Sequence, residues 1–269
     1  MKSNTMDQDD IIFVKDLTWS YHQKPLFNHV SAHIKKGKFL SVIGPNGSGK
    51  TTLLKLLMRL LPVPGQSIYY PDGDVIHYNQ KQLARLISYV PQQSRIEYEF
   101  SLFECVAMSR YSYTDRFSPL SPEDIRIIDE SIDALGLSDL RTRSATELSG
   151  GEYQRMLIAR SLAQQSNVIV LDEPVSHLDI HHQVEILSLL RTLVDEKGKT
   201  IICVLHDLNA VSYFSDEVML LDDGIIISHG KPETVLQRNT IENVYKARLS
   251  IVSDEKHDRM IISPLWKSF

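Results

Sequence analysis

A glycine-rich stretch, GPNGSGKTT at residues 44–52, constrains the fold of this chain more than any other part of the sequence. It follows a short apolar run, Phe39–Ile43, and precedes a leucine-dense run at residues 51–61 that ends before Pro62. In this context a loop joins a buried strand to a helix, and its glycines let backbone N–H groups approach a phosphate closely. The stretch therefore predicts a phosphate-binding loop at the end of a strand in an α/β fold.

The residues of this loop have distinct expected roles. Lys50 would reach the β- and γ-phosphates of a nucleotide, Thr51 would ligate Mg²⁺, and Thr52 would bond a neighbouring phosphate oxygen. The remaining loop residues would contact the nucleotide through the backbone: Gly44, Pro45, Asn46, Gly47, Ser48 and Gly49. The expected cofactors are accordingly ATP and Mg²⁺.

Two later apolar runs end in side chains suited to phosphate hydrolysis. The run VIVLDEP at residues 168–174 predicts a buried strand, with Asp172 emerging at its carboxyl end, where ligands of such sheets bind. Asp172 is placed to hold Mg²⁺ through water, and Glu173 to accept a proton from the attacking water. The run VLHD ends the next strand in the same way and places His206 at the same sheet edge, for contact with the γ-phosphate. Glu173 and His206 are therefore candidate catalytic residues.

The order of elements along the chain predicts one ATPase core with two additions. Apolar runs in residues 11–43 predict antiparallel strands, and helical spacing of apolar residues predicts a helical subdomain inserted at about 94–163. Strands that alternate with helices follow, which indicates a mainly parallel sheet. The expected fold class is thus α/β: a P-loop ATPase core with a mainly parallel sheet, an N-terminal antiparallel β subdomain and an inserted helical subdomain. We expect a flexible N-terminus at 1–10, a single domain at 11–249, and a tail at 250–269 that resembles a small hairpin.

Composition excludes several other classes of protein. The net charge is −5 and no basic run stands out, which disfavours extended contact with nucleic acid. Cys105 and Cys203 each lie in an apolar stretch and are expected in the core of a protein from a reducing compartment. The N-terminal sequence has no apolar segment typical of a secretory signal, and no apolar run approaches the ~20 residues needed to cross a bilayer. We therefore expect a cytoplasmic protein that reaches a membrane only through a partner.

A second glycine pair raises a separate question. Residues 148–152, LSGGE, place a serine and two glycines directly before a run that reads as helix. Such a turn exposes backbone N–H groups to an anion, although the chain already has a phosphate-binding loop. The pattern leaves this second turn without a phosphate of its own.

Taken in order, these motifs resemble those of the ATP-binding subunits of ABC transporters, and the resemblance covers nearly the whole chain. The matching segments are an aromatic loop at Tyr21, Walker A at 44–52, a Q-loop at Gln92, the signature at 148–152, Walker B at 168–173, a D-loop SHLD at 176–179, and His206. The resemblance implies an ATPase that works as a head-to-tail homodimer with two ATP molecules at the interface.

In such a dimer the signature binds the ATP held by the partner subunit, which supplies the missing anion. The resemblance implies that Ser149, Gly150 and Gly151 contact the partner's nucleotide, and that Asp179 bridges to the facing Walker A loop. It also implies that Tyr21 stacks on adenine. Gln92 would sense Mg²⁺ or the lytic water, as a metal-contacting and catalytic residue, and would transmit its state to the helical subdomain.

Three longer stretches narrow the resemblance to importers of iron–siderophores, haem and cobalamin. They are YVPQQ…FSLFECVAMSRYSY, LDIHHQVEIL and LHDLNAVSYFSDEVMLLDDGIIISHGKPETVL. This chain has SRYSY where that group commonly has a GRYP-like element, and Val175 where threonine is usual. Manganese and zinc importers share part of the pattern and remain an alternative. A soluble ABC ATPase of DNA repair or of ribosomes is an alternative from another class, disfavoured by the single compact unit, the two cysteines and the acidic balance.

The importer resemblance implies specific partners. They are polytopic permease subunits and, indirectly, an extracytoplasmic substrate-binding protein, with the chain held at the cytoplasmic side of the cell membrane. The expected docking groove lies between Gln92 and Tyr111. Its apolar candidates, Phe100, Leu102 and Tyr111, fit a docking surface or a core equally well.

Overall fold

The computed structural model describes residues 6–21, 24–92, 98–114, 118–176, 178–254 and 259–265. Within them the strands are β1 Asp10–Tyr21, β2 Lys24–Lys35, β3 Phe39–Ile43, β4 Ile68–Tyr70, β5 Gly73–Asp74, β6 Ile87–Val90, β7 Val168–Asp172, β8 Thr200–Val204, β9 Glu217–Asp222, β10 Ile225–Gly230, β11 Leu249–Asp254 and β12 Arg259–Pro264. The α-helices are α1 Lys50–Leu57, α2 Gln80–Leu86, α3 Leu102–Ala107, α4 Pro122–Asp133, α5 Gly150–Ala163, α6 Ile180–Lys197, α7 Leu208–Phe214, α8 Pro232–Val235 and α9 Arg238–Tyr245.

The chain forms two compact units. The first, unit 1, combines Met1–His77 with Arg191–Phe269, and the second, unit 2, is the continuous segment Tyr78–Leu190.

Unit 1 contains an antiparallel sheet and a mainly parallel one. The antiparallel sheet has the order β2-β1-β4-β5, as the N-terminal runs predict. In the other sheet β3 lies between β8 and β9 and is parallel to both, and β10 adds to β9 in the antiparallel sense. All five residues of β3 and all five of β8 are buried, which is why both read as continuous apolar runs. These sheets and their helices confirm the α/β class.

The C-terminal strands β11 and β12 form an antiparallel hairpin against α7. The side chain of Asn209 fixes this hairpin, because its amide nitrogen donates to the carbonyl of Ile262 at 3.0 Å and its oxygen accepts the Ile262 N–H at 2.8 Å. Cys203 is fully buried in β8, in agreement with its predicted place in the core.

Helix α1 ends earlier than the leucine-rich pattern predicts. It stops at Leu57 instead of continuing to residue 61, because Arg59 adopts a left-handed conformation with φ 51°. The N–H of Leu60 then donates to the carbonyl of Lys55 and that of Arg59 to Leu56, which closes the helix with a Schellman motif. The prediction that the helix runs to Pro62 is therefore wrong by one turn.

Unit 2 combines a parallel strand pair with a group of helices. β6 and β7 are parallel, with Ile87 opposite Val168. Helix α4 starts as predicted, with Ser121 as the cap, Pro122 in the first turn and a capping box completed by Asp124. Cys105 is fully buried in α3, also as predicted.

A buried ion pair lies among the helices of unit 2. Arg110 Nε donates to Asp124 Oδ1 at 2.8 Å, and its Nη1 donates to the carbonyl of Ala163 at 2.8 Å. The guanidinium also lies over the ring of Tyr113, 4.2 Å from its centre. This single side chain thus connects the start of α4 with the end of α5.

In the part of the chain that the structure describes, no helix is long and apolar enough to span a bilayer.

Candidate nucleotide-binding site

The glycine-rich loop between β3 and α1 has a backbone that only glycine allows at two points. Gly44 has φ 149°, and a Cβ there would lie 2.1 Å from the carbonyl oxygen of Leu221. Gly49, the N-cap of α1, has φ 103°, and a Cβ there would lie 3.0 Å from the ring of Phe27. The loop can therefore pass close to β9 and β2 and still present its N–H groups at the start of a helix.

Lys50 closes this loop. Its side chain is buried, and its ammonium donates to the carbonyls of Gly44 and Pro45 at 2.8 Å each. Ser48 is also buried, and its hydroxyl has no hydrogen-bond partner within the described parts of the chain. An ammonium beside an unsatisfied buried donor fits a phosphate group. Asn46 and Gly47, at the tip of the loop, are exposed.

Thr51 and Thr52 occupy the first turn of α1, where the sequence places them for metal and phosphate. Thr51 is half-buried and Thr52 is buried. The hydroxyl of Thr52 lies 3.4 Å from that of Tyr21 at the end of β1. The aromatic-loop residue is thus next to the Walker A helix, and 45% of its surface is exposed.

His206 lies at the same sheet edge as the loop. β3 and β8 are parallel neighbours, the loop follows β3, and His206 follows β8 by two residues. Its side chain is exposed. Unit 1 therefore brings together Tyr21, the loop of residues 44–52 and His206.

Unit 2 holds the carboxylates. Asp172 is the last residue of β7 and is 1% exposed. Tyr89 in β6 donates its hydroxyl to Asp172 Oδ2 at 3.5 Å, a partner that the sequence pattern does not reveal. Burial raises the pKa of Tyr89, and the charge of Asp172 raises it further, so the phenol remains a proton donor to this carboxylate.

Glu173 comes next and contacts Gln92. Gln92 Nε2 donates to Glu173 Oε2 at 2.5 Å, and Gln92 itself follows β6, the parallel neighbour of β7. Glu173 has a left-handed backbone with φ 51°, and its carbonyl accepts the hydroxyl of Ser176 at 3.1 Å. The Q-loop glutamine and the candidate general base therefore form one contact.

The signature forms the N-terminus of α5. Ser149 is the N-cap, its hydroxyl accepts the N–H of Glu152, and its own N–H donates to the Glu152 carboxylate at 2.8 Å. The backbone N–H of Ser149 lowers the pKa of Glu152. Ser149 and Gly150 are exposed, and a Cβ at Gly150 would meet nothing within 4 Å. A Cβ at Gly151 would meet Leu178 of the D-loop at 3.5 Å, so the signature and the D-loop are neighbours.

Asp179 is held by His182, which the sequence reasoning assigned no role. The backbone N–H of His182 donates to Asp179 Oδ1 at 3.0 Å, and the ring Nδ1 lies 2.9 Å from Oδ2. The backbone contact is the main cause of the lowered pKa of Asp179. Asp179 is exposed, and its lowered pKa keeps the carboxylate ionised. His177, within the SHLD motif, lies outside the described residues.

The candidate docking residues separate into two groups. Leu102 is fully buried and belongs to the core, whereas Phe100 is 37% and Tyr111 is 68% exposed. Tyr98, which the sequence reasoning did not single out, is 72% exposed beside Phe100. Part of the expected groove, residues 93–97, lies outside the described residues.

Comparison with protein families and curated relatives gives a consistent result. A family model described as ABC transporter matches residues 27–176. The chain is 35% identical to the petrobactin import ATP-binding protein YclP of Bacillus subtilis, over 90% of this chain and 95% of the relative. It is also 35% identical to the ferric enterobactin transport ATP-binding protein FepC of Escherichia coli, over 94% of both chains.

Solved structures agree in fold. An inward-facing ABC transporter assigned to the metal-chelate type superposes with a TM-score of 0.83 at 27% identity, covering 96% of this chain and 98% of the other. The dimeric cassette MJ0796, bound to ADP and Pi after hydrolysis, superposes with a TM-score of 0.72 at 28% identity, covering 82% and 98%. The fold is thus similar to that of a cassette seen with nucleotide.

Proposed function

Because this chain belongs to the ABC transporter family and is an ATPase of that family, we propose that it powers uptake of a metal chelate through a membrane permease. The cargo class is an iron–siderophore, haem or cobalamin-like compound. The relatives named for petrobactin and ferric enterobactin support this class, as does one named for iron(3+)-hydroxamate import in Bacillus subtilis, 34% identical over 90% of both chains. We treat residues 11–249 as one ATPase domain with a helical insertion at about 94–163.

The contact between Gln92 and Glu173 carries the catalytic part of the proposal. Glu173 stands at the carboxyl end of a buried strand, and its carboxylate accepts the Gln92 amide. A carboxylate at this place is suited to take a proton from a water that attacks the γ-phosphate. In the bound state His206 would contact the γ-phosphate from the end of β8.

The remaining loop residues bind and orient the nucleotide. Lys50 would exchange its two carbonyl partners for β- and γ-phosphate oxygens, and Ser48 would give its buried hydroxyl a partner. Thr51, Asp172 and Gln92 would hold Mg²⁺, whose chemistry is to neutralise charge on the phosphates. Oxygen donors of this kind are the ligands that Mg²⁺ prefers.

We propose a head-to-tail homodimer for the active state. The exposed N-terminus of α5, with Ser149, Gly150 and Gly151, is available for the nucleotide of a second subunit. Asp179, exposed and ionised, would bridge to the facing Walker A loop. Each subunit would then offer two different patches to its partner, and the two-fold assembly closes.

Coupling to transport would pass through Gln92. Its partner Glu173 would respond to whether ATP or its hydrolysis products are bound. Further along the chain from Gln92 are the exposed aromatic residues Tyr98, Phe100 and Tyr111. Exposed aromatic side chains are typical of a protein interface, and two of these, Tyr98 and Phe100, contact each other. We propose that permease subunits dock here and hold the chain at the cytoplasmic side of the membrane. A substrate-binding protein would deliver the cargo from the other side.

The test is recovery of partners from detergent-solubilised membranes with the affinity-tagged chain, followed by mass spectrometry. We expect a polytopic permease in equal stoichiometry, and uptake of a ferric siderophore, haem or cobalamin in vesicles that contain the recovered complex. Uptake of manganese or zinc alone would show that the cargo is a metal ion and not a metal chelate. Recovery only in the soluble fraction, with ribosomes or nucleic acid, would remove the transport function and leave the ATPase.

Two variants make this experiment specific to the docking surface. Tyr111→Glu should lose the permease and keep ATP binding, because it places a charge in the proposed interface. Tyr213→Glu is the matched control, since Tyr213 is also exposed but lies on α7 in unit 1. Equal recovery of the permease with both variants would place docking elsewhere.

A further inference from the structure

Trp19 contacts the aromatic-loop residue directly. Its indole ring meets the ring of Tyr21 edge to face, with the centres 4.4 Å apart and the planes at 86°. Edge-to-face geometry of this kind is the favoured arrangement of two aromatic rings. The pair lies at the end of β1, where the register against β2 shifts on both sides of Trp19.

A hydrogen bond fixes the indole ring from the other side. Trp19 Nε1 donates to the carbonyl of Pro62 at 2.9 Å. Pro62 follows the Schellman motif that ends the Walker A helix, so Trp19 is tied to the segment directly after that helix. A tryptophan with its N–H bonded in this way has little rotational freedom left.

Tyr21 is therefore held at both of its ends. Trp19 contacts the ring, and the hydroxyl lies 3.4 Å from Thr52 in the first turn of the same helix. Close to half of the Tyr21 side chain stays exposed. Since β1 ends at Tyr21, the backbone of the strand alone does not set the direction of this ring.

We propose that Trp19 is a positioning residue for base recognition, which fixes the Tyr21 ring in the orientation that receives the adenine. This inference rests on the proposed stacking of Tyr21 on adenine and adds a determinant that none of the motifs contains. Preorganising a contact ring removes the cost of ordering it on binding. We expect the advantage to apply to the base, because the ring contact and the side-chain hydrogen bond that the described residues give Trp19 go to Tyr21 and to Pro62, not to residues 44–52.

The test compares two ligands that differ in the base. The full chain carrying Glu173→Gln, chosen so that ATP is not turned over, is titrated by calorimetry with MgATP and with magnesium tripolyphosphate. Trp19→Leu removes the ring and should weaken ATP binding by about 2- to 10-fold, the range of one aromatic pair, with tripolyphosphate unchanged. Trp19→Phe keeps a ring but loses the bond to Pro62, and should weaken ATP binding at least about 2-fold. Tyr213→Leu, which removes an exposed aromatic ring on α7, is the control and should change neither affinity.

The same measurements in a chain that carries Tyr21→Ala separate this inference from the proposed function. In Tyr21→Ala, ATP affinity should already be lower and Trp19→Leu should add nothing, because the ring that it positions is gone. Equal weakening of both ligands by Trp19→Leu would show that Trp19 supports the phosphate loop, and no change would show that it is dispensable; either result overturns the inference while adenine stacking stands. If Tyr21→Ala leaves ATP and tripolyphosphate affinity unchanged, the stacking proposal fails, and the role of Trp19 fails with it. Thermal unfolding verifies that each variant is folded. If Trp19→Leu does not fold, the ATP and tripolyphosphate affinities of Trp19→Phe decide whether the inference stands.

Discussion

At the end of β7, Glu173 combines an unfavourable backbone with a fixed side chain. A left-handed conformation costs a non-glycine residue about 1–2 kcal/mol, which the surrounding contacts must offset. Ser176 holds the carbonyl and Gln92 holds the carboxylate. Strain that is retained in this way at a strand end is a feature of functional sites, because it aims a side chain that regular backbone would direct elsewhere.

Glu173→Gln tests the general base with almost no change of shape. We expect ATP hydrolysis to fall by at least about 100-fold, since one positioned base contributes 10²–10⁴ in rate. ATP affinity should stay within about 2-fold, and ATP should accumulate in a stable dimer, which size-exclusion chromatography detects and which raises Tm. Steady-state hydrolysis at the wild-type rate would remove Glu173 as the base.

Gly44→Ala tests the close approach of the phosphate loop to β9. The new methyl group would lie 2.1 Å from the carbonyl oxygen of Leu221, and the backbone φ of 149° is unfavourable for alanine as well. We expect loss of measurable ATP binding together with a lower Tm. Gly230→Ala is the matched control, because a Cβ there meets nothing within 4 Å and its φ is ordinary. ATP affinity that survives Gly44→Ala would contradict this account of the loop.

At the scale of elements, the sequence predicts where strands and helices lie better than where they end. The apolar runs at β3, β7 and β8 are visible because both faces of each strand are buried. The early end of α1 is not visible in the sequence, because the left-handed residue that ends it is Arg59. A helix end of this kind is usually recognised by a glycine at that position. Its guanidinium donates to the carbonyls of Val75 and Ile76, a distant contact that no local pattern contains.

The candidate site divides along the same line. The residues to which we assign the chemistry follow strand ends and glycine turns, so motifs in the sequence single them out. Motifs do not reveal the residues that hold these side chains in place. Tyr89 in β6 contacts Asp172 in the neighbouring strand β7, and Trp19 donates to the carbonyl of Pro62. Such partners are set by tertiary packing, and a single sequence has no pattern for them.

Arg110 tests how the helices of unit 2 are held together. Removing one partner of a buried ion pair leaves a charge without compensation, so Arg110→Met should lower the free energy of unfolding by about 3–5 kcal/mol in urea titrations. Arg126→Met is the control on the same region: its ion pairs with Glu123 and Glu130 are exposed and should contribute less than about 1 kcal/mol. Equal effects of the two variants would contradict the buried pair.

The same pair predicts a pH dependence. The Ser121 hydroxyl and then Arg110 hold the pKa of Asp124 below its usual range. The stability that this carboxylate contributes is therefore complete above the ordinary pKa of aspartate and is lost as pH falls through the lowered one. The difference in unfolding free energy between the native chain and Arg110→Met should be constant near neutral pH and decrease in acid. A difference that grows on acidification would assign the effect to another group.

At the scale of the whole molecule, the chain carries two glycine-bearing helix N-termini that we propose bind phosphate, one in each unit. The Walker A loop precedes α1 in unit 1, and the signature precedes α5 in unit 2. If the two act on one ATP only across a dimer, then defects in them should complement each other between chains.

Mixing two inactive variants tests this arrangement. Lys50→Ala should abolish nucleotide binding, and Ser149→Arg should abolish hydrolysis while leaving mononucleotide binding intact. In a head-to-tail dimer of the two, one site combines both defects and the other has neither. Random mixing at equal amounts should thus restore about a quarter of the wild-type hydrolysis rate, if the sites act independently. No recovery, with mixed dimers verified by differential tagging, would place the signature and its ATP on the same chain.

The pairing of β3 has a consequence for synthesis on the ribosome. Its partner β8 begins at Thr200, and the contact of Phe39 with Ile201 joins residues about 160 apart in the chain. At a translation rate of about 5–20 residues per second, the apolar segment Phe39–Ile43 waits roughly 10–30 s for its neighbours. During that time it offers unpaired strand edges to chaperones or to other nascent chains, whereas all of unit 2 has been translated before β8 appears. The strand that carries the phosphate-binding loop is thus made early by the ribosome and is among the last to acquire its folded form.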